Sequence, residues 1–89
     1  MNKILLVDDD QALSELLKEY LEAESFQCDA VFTGPDGLTQ ASEQTYDLII
    51  LDIMLPGLTG TEVLKELRKT GVGTPVLMLT HSRIRARCG

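Results

Sequence analysis

Aromatic, sulfur and cationic residues are scarce in this chain. Its 89 residues include no tryptophan, two phenylalanines, two tyrosines, two cysteines and one histidine. A core built from it must therefore be aliphatic. Two cysteines exclude the disulfide framework that holds small secreted domains together. Cys28 lies in an apolar stretch and reads as a small core residue. Eight Lys and Arg stand against 14 Asp and Glu, for a formal charge of −6. That balance argues against direct nucleic-acid binding, because phosphate contacts need cations. No apolar run approaches the roughly 20 residues a membrane span requires. No basic stretch followed by a hydrophobic segment and a cleavage site opens the chain. The expected location is the cytoplasm, with no membrane partner.

What is present is strongly patterned. With 44% hydrophobic residues, the length suits one small domain with a single modest core. Lys3 to Val7 is a nearly continuous aliphatic run, as in a strand buried on both faces. Asp10 is placed to cap a helix in which Leu13, Leu16, Leu17, Tyr20 and Leu21 recur on one side. Glu15, Glu19, Glu22 and Glu24 read as its solvated face. Phe26 to Phe32 predicts a second strand. Thr33-Gly34-Pro35 starts a second helix, with Leu38, Ala41 and Thr45 inward. Leu48 to Leu51 predicts a third strand. Thr59-Gly60-Thr61-Glu62 fits a capping box ahead of Val63, Leu64 and Leu67, and Gly71 is a good stop. Pro75 to Thr80 predicts a fourth strand. The order βαβαβαβ implies a parallel, doubly wound α/β sheet with helices on both faces, a three-layer α/β/α arrangement.

In such sheets ligands bind beyond the carboxyl ends of the strands, where strand order reverses. Two apolar runs end in acid there: ILLVDDD (Ile4 to Asp10) and LIILDIMLPG (Leu48 to Gly57). Side by side, these strands bring Asp8, Asp9 and Asp52 to one point. An acidic strand end alone is commonly a helix cap. Two of them, with the Thr80 hydroxyl at a third strand end, are hard to assign to capping. Like charges about 4 Å apart repel by roughly 1 kcal/mol in water and several times that at a protein surface. A divalent cation or a proton relieves such a cluster. Mg²⁺ suits one or two carboxylates plus a backbone carbonyl and waters. A carboxylate held beside it can act as a nucleophile toward phosphorus, and Thr80 is placed to donate to the phosphoryl group.

VDDD, LDIMLPG, the Thr59–Glu62 helix start and PVLMLT together resemble the receiver domain of two-component response regulators. The style of LDIMLPGLTG is most similar to the OmpR/PhoB-type subfamily. The resemblance covers Met1 to about Thr80, giving a partial receiver over residues 1–80 and a non-family tail over 81–89. It implies the flavodoxin-like, CheY-like fold and its strand order 2-1-3-4-5. It implies that Asp52 accepts phosphoryl from a histidine kinase and that Asp8 and Asp9 hold Mg²⁺, Asp9 directly. It further implies that the Met54 backbone carbonyl is the remaining protein ligand, and that Thr80 swings toward the phosphate. By this resemblance the chain is a phospho-accepting signalling module and not an enzyme, beyond self-catalysed phosphoryl transfer.

The chain also departs from the family. A final helix, strand and helix are expected after Thr80. The family's phosphate-pairing Lys lies on that strand, and none of Lys3, Lys18, Lys65 or Lys69 matches it. His81 stands where a small residue is usual. The ending HSRIRARCG does not resemble the family. Ser25 replaces a glycine common after the first helix, which weakens that cap. A fourth strand left as an edge is a template for pairing, and Arg83, Ile84, Arg85, Ala86, Arg87 and Cys88 alternate as a strand does. The expectation is a homo-oligomer through the fourth strand or the tail. The alternative function is a phosphorylation-incompetent receiver fragment that only folds and self-associates. A dehalogenase-type phosphatase, suggested by Asp8-x-Asp10, lacks the Thr or Val expected after the second Asp, since Gln11 and Ala12 follow.

Overall fold

A computed structural model describes residues 2–55 and 57–79. Strands and helices alternate from the start: β1 (Lys3–Val7), α1 (Gln11–Ala23), β2 (Gln27–Val31), α2 (Gly34–Glu43), β3 (Leu48–Asp52), α3 (Gly60–Lys69) and β4 (Val76–Leu79). All three strand pairings are parallel, in the order β2-β1-β3-β4. These are the first four positions of the expected order, so the doubly wound, three-layer architecture stands. β2 is shorter than the sequence pattern suggested, β4 begins one residue later, at Val76, and β3 extends one residue further, to Asp52.

Strand alternation divides the apolar residues between two layers. Leu5, Val7, Ile49 and Leu51 face one side, where they pack with Ala41 of α2 and Val63 and Leu67 of α3. Ile4, Leu6, Cys28 and Ile50 face the other, against Leu17 and Leu21 of α1 and Phe26. Burying each large aliphatic residue of this kind contributes about 1.5–3 kcal/mol. β1 is covered on both faces because it lies inside the sheet with a helical layer on each side.

The helix ends follow their local chemistry. The Asp10 carboxylate accepts from the Leu13 N–H at 3.1 Å and caps α1. Thr33 caps α2 in the same way. The capping box at α3 is complete: the Thr59 hydroxyl accepts from the Glu62 N–H, and the Glu62 carboxylate accepts from the Thr59 N–H. Gly71 ends α3 with φ +87°, a conformation glycine adopts without cost.

Two expectations require correction. Leu16 and Tyr20 are 65% and 64% exposed and do not join the inward side of α1. A single helical layer residue covers only a narrow stripe of sheet, and Leu17 and Leu21 fill it. Thr45 lies beyond the end of α2 and is exposed. As expected, β4 is an edge strand among the described residues, and its Leu77 is 52% exposed. On the α1 side of the sheet, a groove of about 580 Å³ opens among Ile4, Leu21, Phe26, Leu48, Ile50 and Leu77.

Candidate functional site

Strand order reverses between β1 and β3, and both strands end in carboxylate. The register pairs Val7 with Leu51. The residues that follow, Asp8 and Asp52, therefore emerge side by side at the carboxyl edge. Asp8, Asp9 and Asp52 each offer a carboxylate oxygen, and these oxygens lie within 4.8 Å of one another. Asp8 and Asp52 are fully buried, whereas Asp9 is exposed.

The three consecutive acids after β1 have separate tasks. Asp8 turns inward, and its Oδ1 accepts from the Asp10 N–H at 2.9 Å. Its backbone is fixed by the Asp8 N–H donating to the Val31 carbonyl and by the buried Ser14 hydroxyl donating to the Asp8 carbonyl. Asp9 is the exposed member of the cluster. Asp10 turns away to cap α1. No local pattern announces the Ser14 contact, since serine in the first turns of a helix normally faces solvent.

Asp52 is held differently. Its Oδ1 accepts from the Met54 N–H at 3.1 Å, while its Oδ2 is buried and accepts no hydrogen bond among the described residues. A buried carboxylate oxygen left without a donor is costly unless a cation or proton supplies one. The donor set of three hard carboxylate oxygens suits Mg²⁺. The side chain of Met54 is exposed at the rim. β4 closes the site's far side: Leu79 pairs with Asp52, and the Ile53 N–H donates to the Leu79 carbonyl. Thr80, His81, Pro56 and the 81–89 tail lie outside the described residues.

The chain matches the response regulator receiver domain family over residues 4–87. It is 50% identical over 82 residues to the transcriptional regulatory protein CiaR of Streptococcus pneumoniae, spanning 90% of this chain and 35% of that protein. It is 48% identical over 80 residues to a CpxR homolog of Haemophilus influenzae, spanning 90% of this chain and 34% of that protein. It thus spans about a third of the length of the curated relatives it matches. Among solved structures it is similar to the response regulator TrrA of Thermotoga maritima in complex with Mg²⁺-BeF. There the TM-score is 0.84 at 39% identity, over 97% of this chain and 76% of that one. TrrA in complex with the histidine kinase ThkA gives a TM-score of 0.84 at 41% identity, over 91% of this chain and 70% of that one.

Proposed function

Because the chain belongs to the response regulator receiver domain family, we propose that it accepts a phosphoryl group from a sensor histidine kinase on Asp52, with Mg²⁺ at Asp8, Asp9, Asp52 and the Met54 backbone carbonyl. The observation that carries this reading is the convergence of three carboxylates within 4.8 Å, one with a buried oxygen that no described donor meets. Held by these residues, Mg²⁺ would offset the charge of the acids and of the phosphoryl oxygens. A carboxylate oxygen of Asp52 attacks phosphorus, the bond to the donor nitrogen breaks, and the donor imidazole keeps that electron pair. The Met54 N–H holds the other carboxylate oxygen and so aims the attacking one. Thr80 donates to the phosphoryl group and responds to its arrival.

A kinase partner fits the ThkA–TrrA complex that this chain resembles. Mg²⁺ fits the Mg²⁺-BeF complex of TrrA. The cytoplasm fits the free, buried Cys28. No helix among the described residues is long and apolar enough to cross a membrane. The domain signals by its phosphorylated state and turns over no external substrate. A second reading, self-association through β4, is favoured by the exposed Leu77 and the apolar groove beside it.

The test is incubation of the chain with Mg²⁺ and phosphoramidate, followed by intact mass. One phosphoryl adduct, absent without Mg²⁺ and absent in Asp52→Asn, is expected. Mg²⁺ binding with no adduct overturns the phospho-acceptor reading and leaves a folded acid pocket without transfer.

A further inference from the structure

Gly60 is the first residue of α3 and is buried. Its N–H donates to the Ile53 carbonyl at 2.8 Å. A methyl group on its Cα would lie 2.4 Å from the Asp52 carbonyl oxygen, 2.8 Å from the Ile53 Cα and 3.1 Å from the Asp52 carbonyl carbon. All three are main-chain atoms of β3 and the residue after it, so they cannot rotate away as a side-chain tip does. Gly60 is outside the left-handed region, unlike Gly57 and Gly71. Close approach, not conformational freedom, is what requires glycine here.

The peptide on which Gly60 rests also fixes the acid site. It joins Asp52 to Ile53, and the next N–H, that of Met54, is the described donor to the Asp52 carboxylate. Any side chain at position 60 pushes this peptide away from α3. Such a shift rotates the Asp52 side chain, lengthens the Met54 bond and moves the Met54 carbonyl. We propose that Gly60 is a positioning residue for the acid site: its missing side chain lets the start of α3 clamp the Asp52–Ile53 peptide and so sets the direction of the Asp52 carboxylate. This rests on the function proposed above for what the site does, but not for whether Gly60 aligns it.

The experiment compares the full chain with Gly60→Ala and Leu67→Ala. Leu67 is a buried core residue about two turns further along the same helix, so its truncation destabilises the packing of α3 on the sheet without altering position 60. Three readouts are taken: the Met54 amide resonance of metal-free protein, Mg²⁺ affinity by NMR titration, and the rate of adduct formation with phosphoramidate. Gly60→Ala is expected to move the Met54 resonance away from its wild-type position. It is also expected to weaken Mg²⁺ at least tenfold and slow the adduct at least tenfold, although alanine favours helix over glycine. Leu67→Ala is expected to keep Mg²⁺ affinity and rate within twofold. If Gly60→Ala unfolds at assay temperature, both variants are measured in trimethylamine N-oxide, which favours the compact state without contacting the site. A folded Gly60→Ala with an unchanged Met54 resonance and Mg²⁺ affinity overturns the proposal, as does an equal loss in Leu67→Ala. Wild-type protein that forms no adduct overturns the phospho-acceptor reading alone, because the Met54 resonance still decides the role of Gly60.

Discussion

The hydroxyl of Tyr46 donates to the Asp29 carboxylate at 2.7 Å and accepts from the Gln40 side-chain amide at 3.0 Å. Tyr46 precedes β3, Asp29 is central in edge strand β2, and Gln40 lies on α2, so one side chain ties three elements together. The Lys3 ammonium sits 5.0 Å from the centre of the same ring. Tyr46 is almost wholly buried, so its ring adds apolar burial to these polar contacts. Replacing it by phenylalanine keeps the ring and leaves a part-buried carboxylate short of a donor. Tyr46→Phe is expected to cost about 1–3 kcal/mol, read as a lower urea midpoint with an unchanged slope.

The same hydroxyl makes stability depend on pH in the alkaline range. Burial, then the hydrogen bond to Asp29, pushes the Tyr46 phenol up to about 12 from its ordinary 10. The folded state therefore holds this proton more tightly than the unfolded state. The stabilisation is complete below the unfolded value and disappears as pH rises through the folded one. The urea midpoint is expected to fall between pH 10 and about 12 in wild type, and less steeply in Tyr46→Phe.

The acid pocket carries an electrostatic cost. Two fully buried carboxylates, Asp8 and Asp52, meet at one edge of the sheet. At an effective dielectric near 20, like charges about 4 Å apart repel by roughly 4 kcal/mol. Asp52→Asn removes one of the charges. It is expected to raise the metal-free melting temperature while abolishing most of the upward shift that Mg²⁺ gives wild type. Thermal scans with and without millimolar Mg²⁺ check both signs together.

The turn after α1 carries strain that can be removed. Ser25 has φ +73° and is the one described non-glycine residue with positive φ. An L-residue in that region costs roughly 1–2 kcal/mol, partly offset in glycine by its larger unfolded-state entropy. Ser25→Gly is expected to stabilise the chain by about 0.5–1 kcal/mol, seen as a rise of a few degrees in melting temperature.

The sequence showed most of this fold because its signals were local and redundant. Continuous apolar runs marked the strands, helical spacing marked the helices, and Asp10, Thr33, Thr59 and Gly71 marked where helices begin or stop. Asp8, Asp9 and Asp52 were legible because strand order alone brings two acid-ended strands together. What escaped was long-range. The Tyr46–Asp29 bond joins residues far apart in sequence, and nothing in either local pattern announces it. Gly60 read as part of a helix start, since a close approach between main chains leaves no mark except the glycine itself. Leu16 and Tyr20 obeyed helical spacing yet stayed exposed, because periodicity shows that a stripe exists without giving its width.

Leu77 offers the test of self-association. It lies on β4, an edge strand with open main-chain groups on one side among the described residues. It also lines the apolar groove with Ile50, Leu48 and Phe26. An exposed apolar edge pairs with another chain unless a charge blocks it. Leu77→Lys places an ammonium at the centre of that edge while removing only a half-exposed side chain, so the monomer fold should lose little. If β4 joins two copies, sedimentation at tens of micromolar should show wild type as a dimer or larger. Leu77→Lys should then sediment as a monomer with unchanged circular dichroism. A monomeric wild type at that concentration removes the self-association reading and leaves the proposed chemistry of the acid pocket untouched.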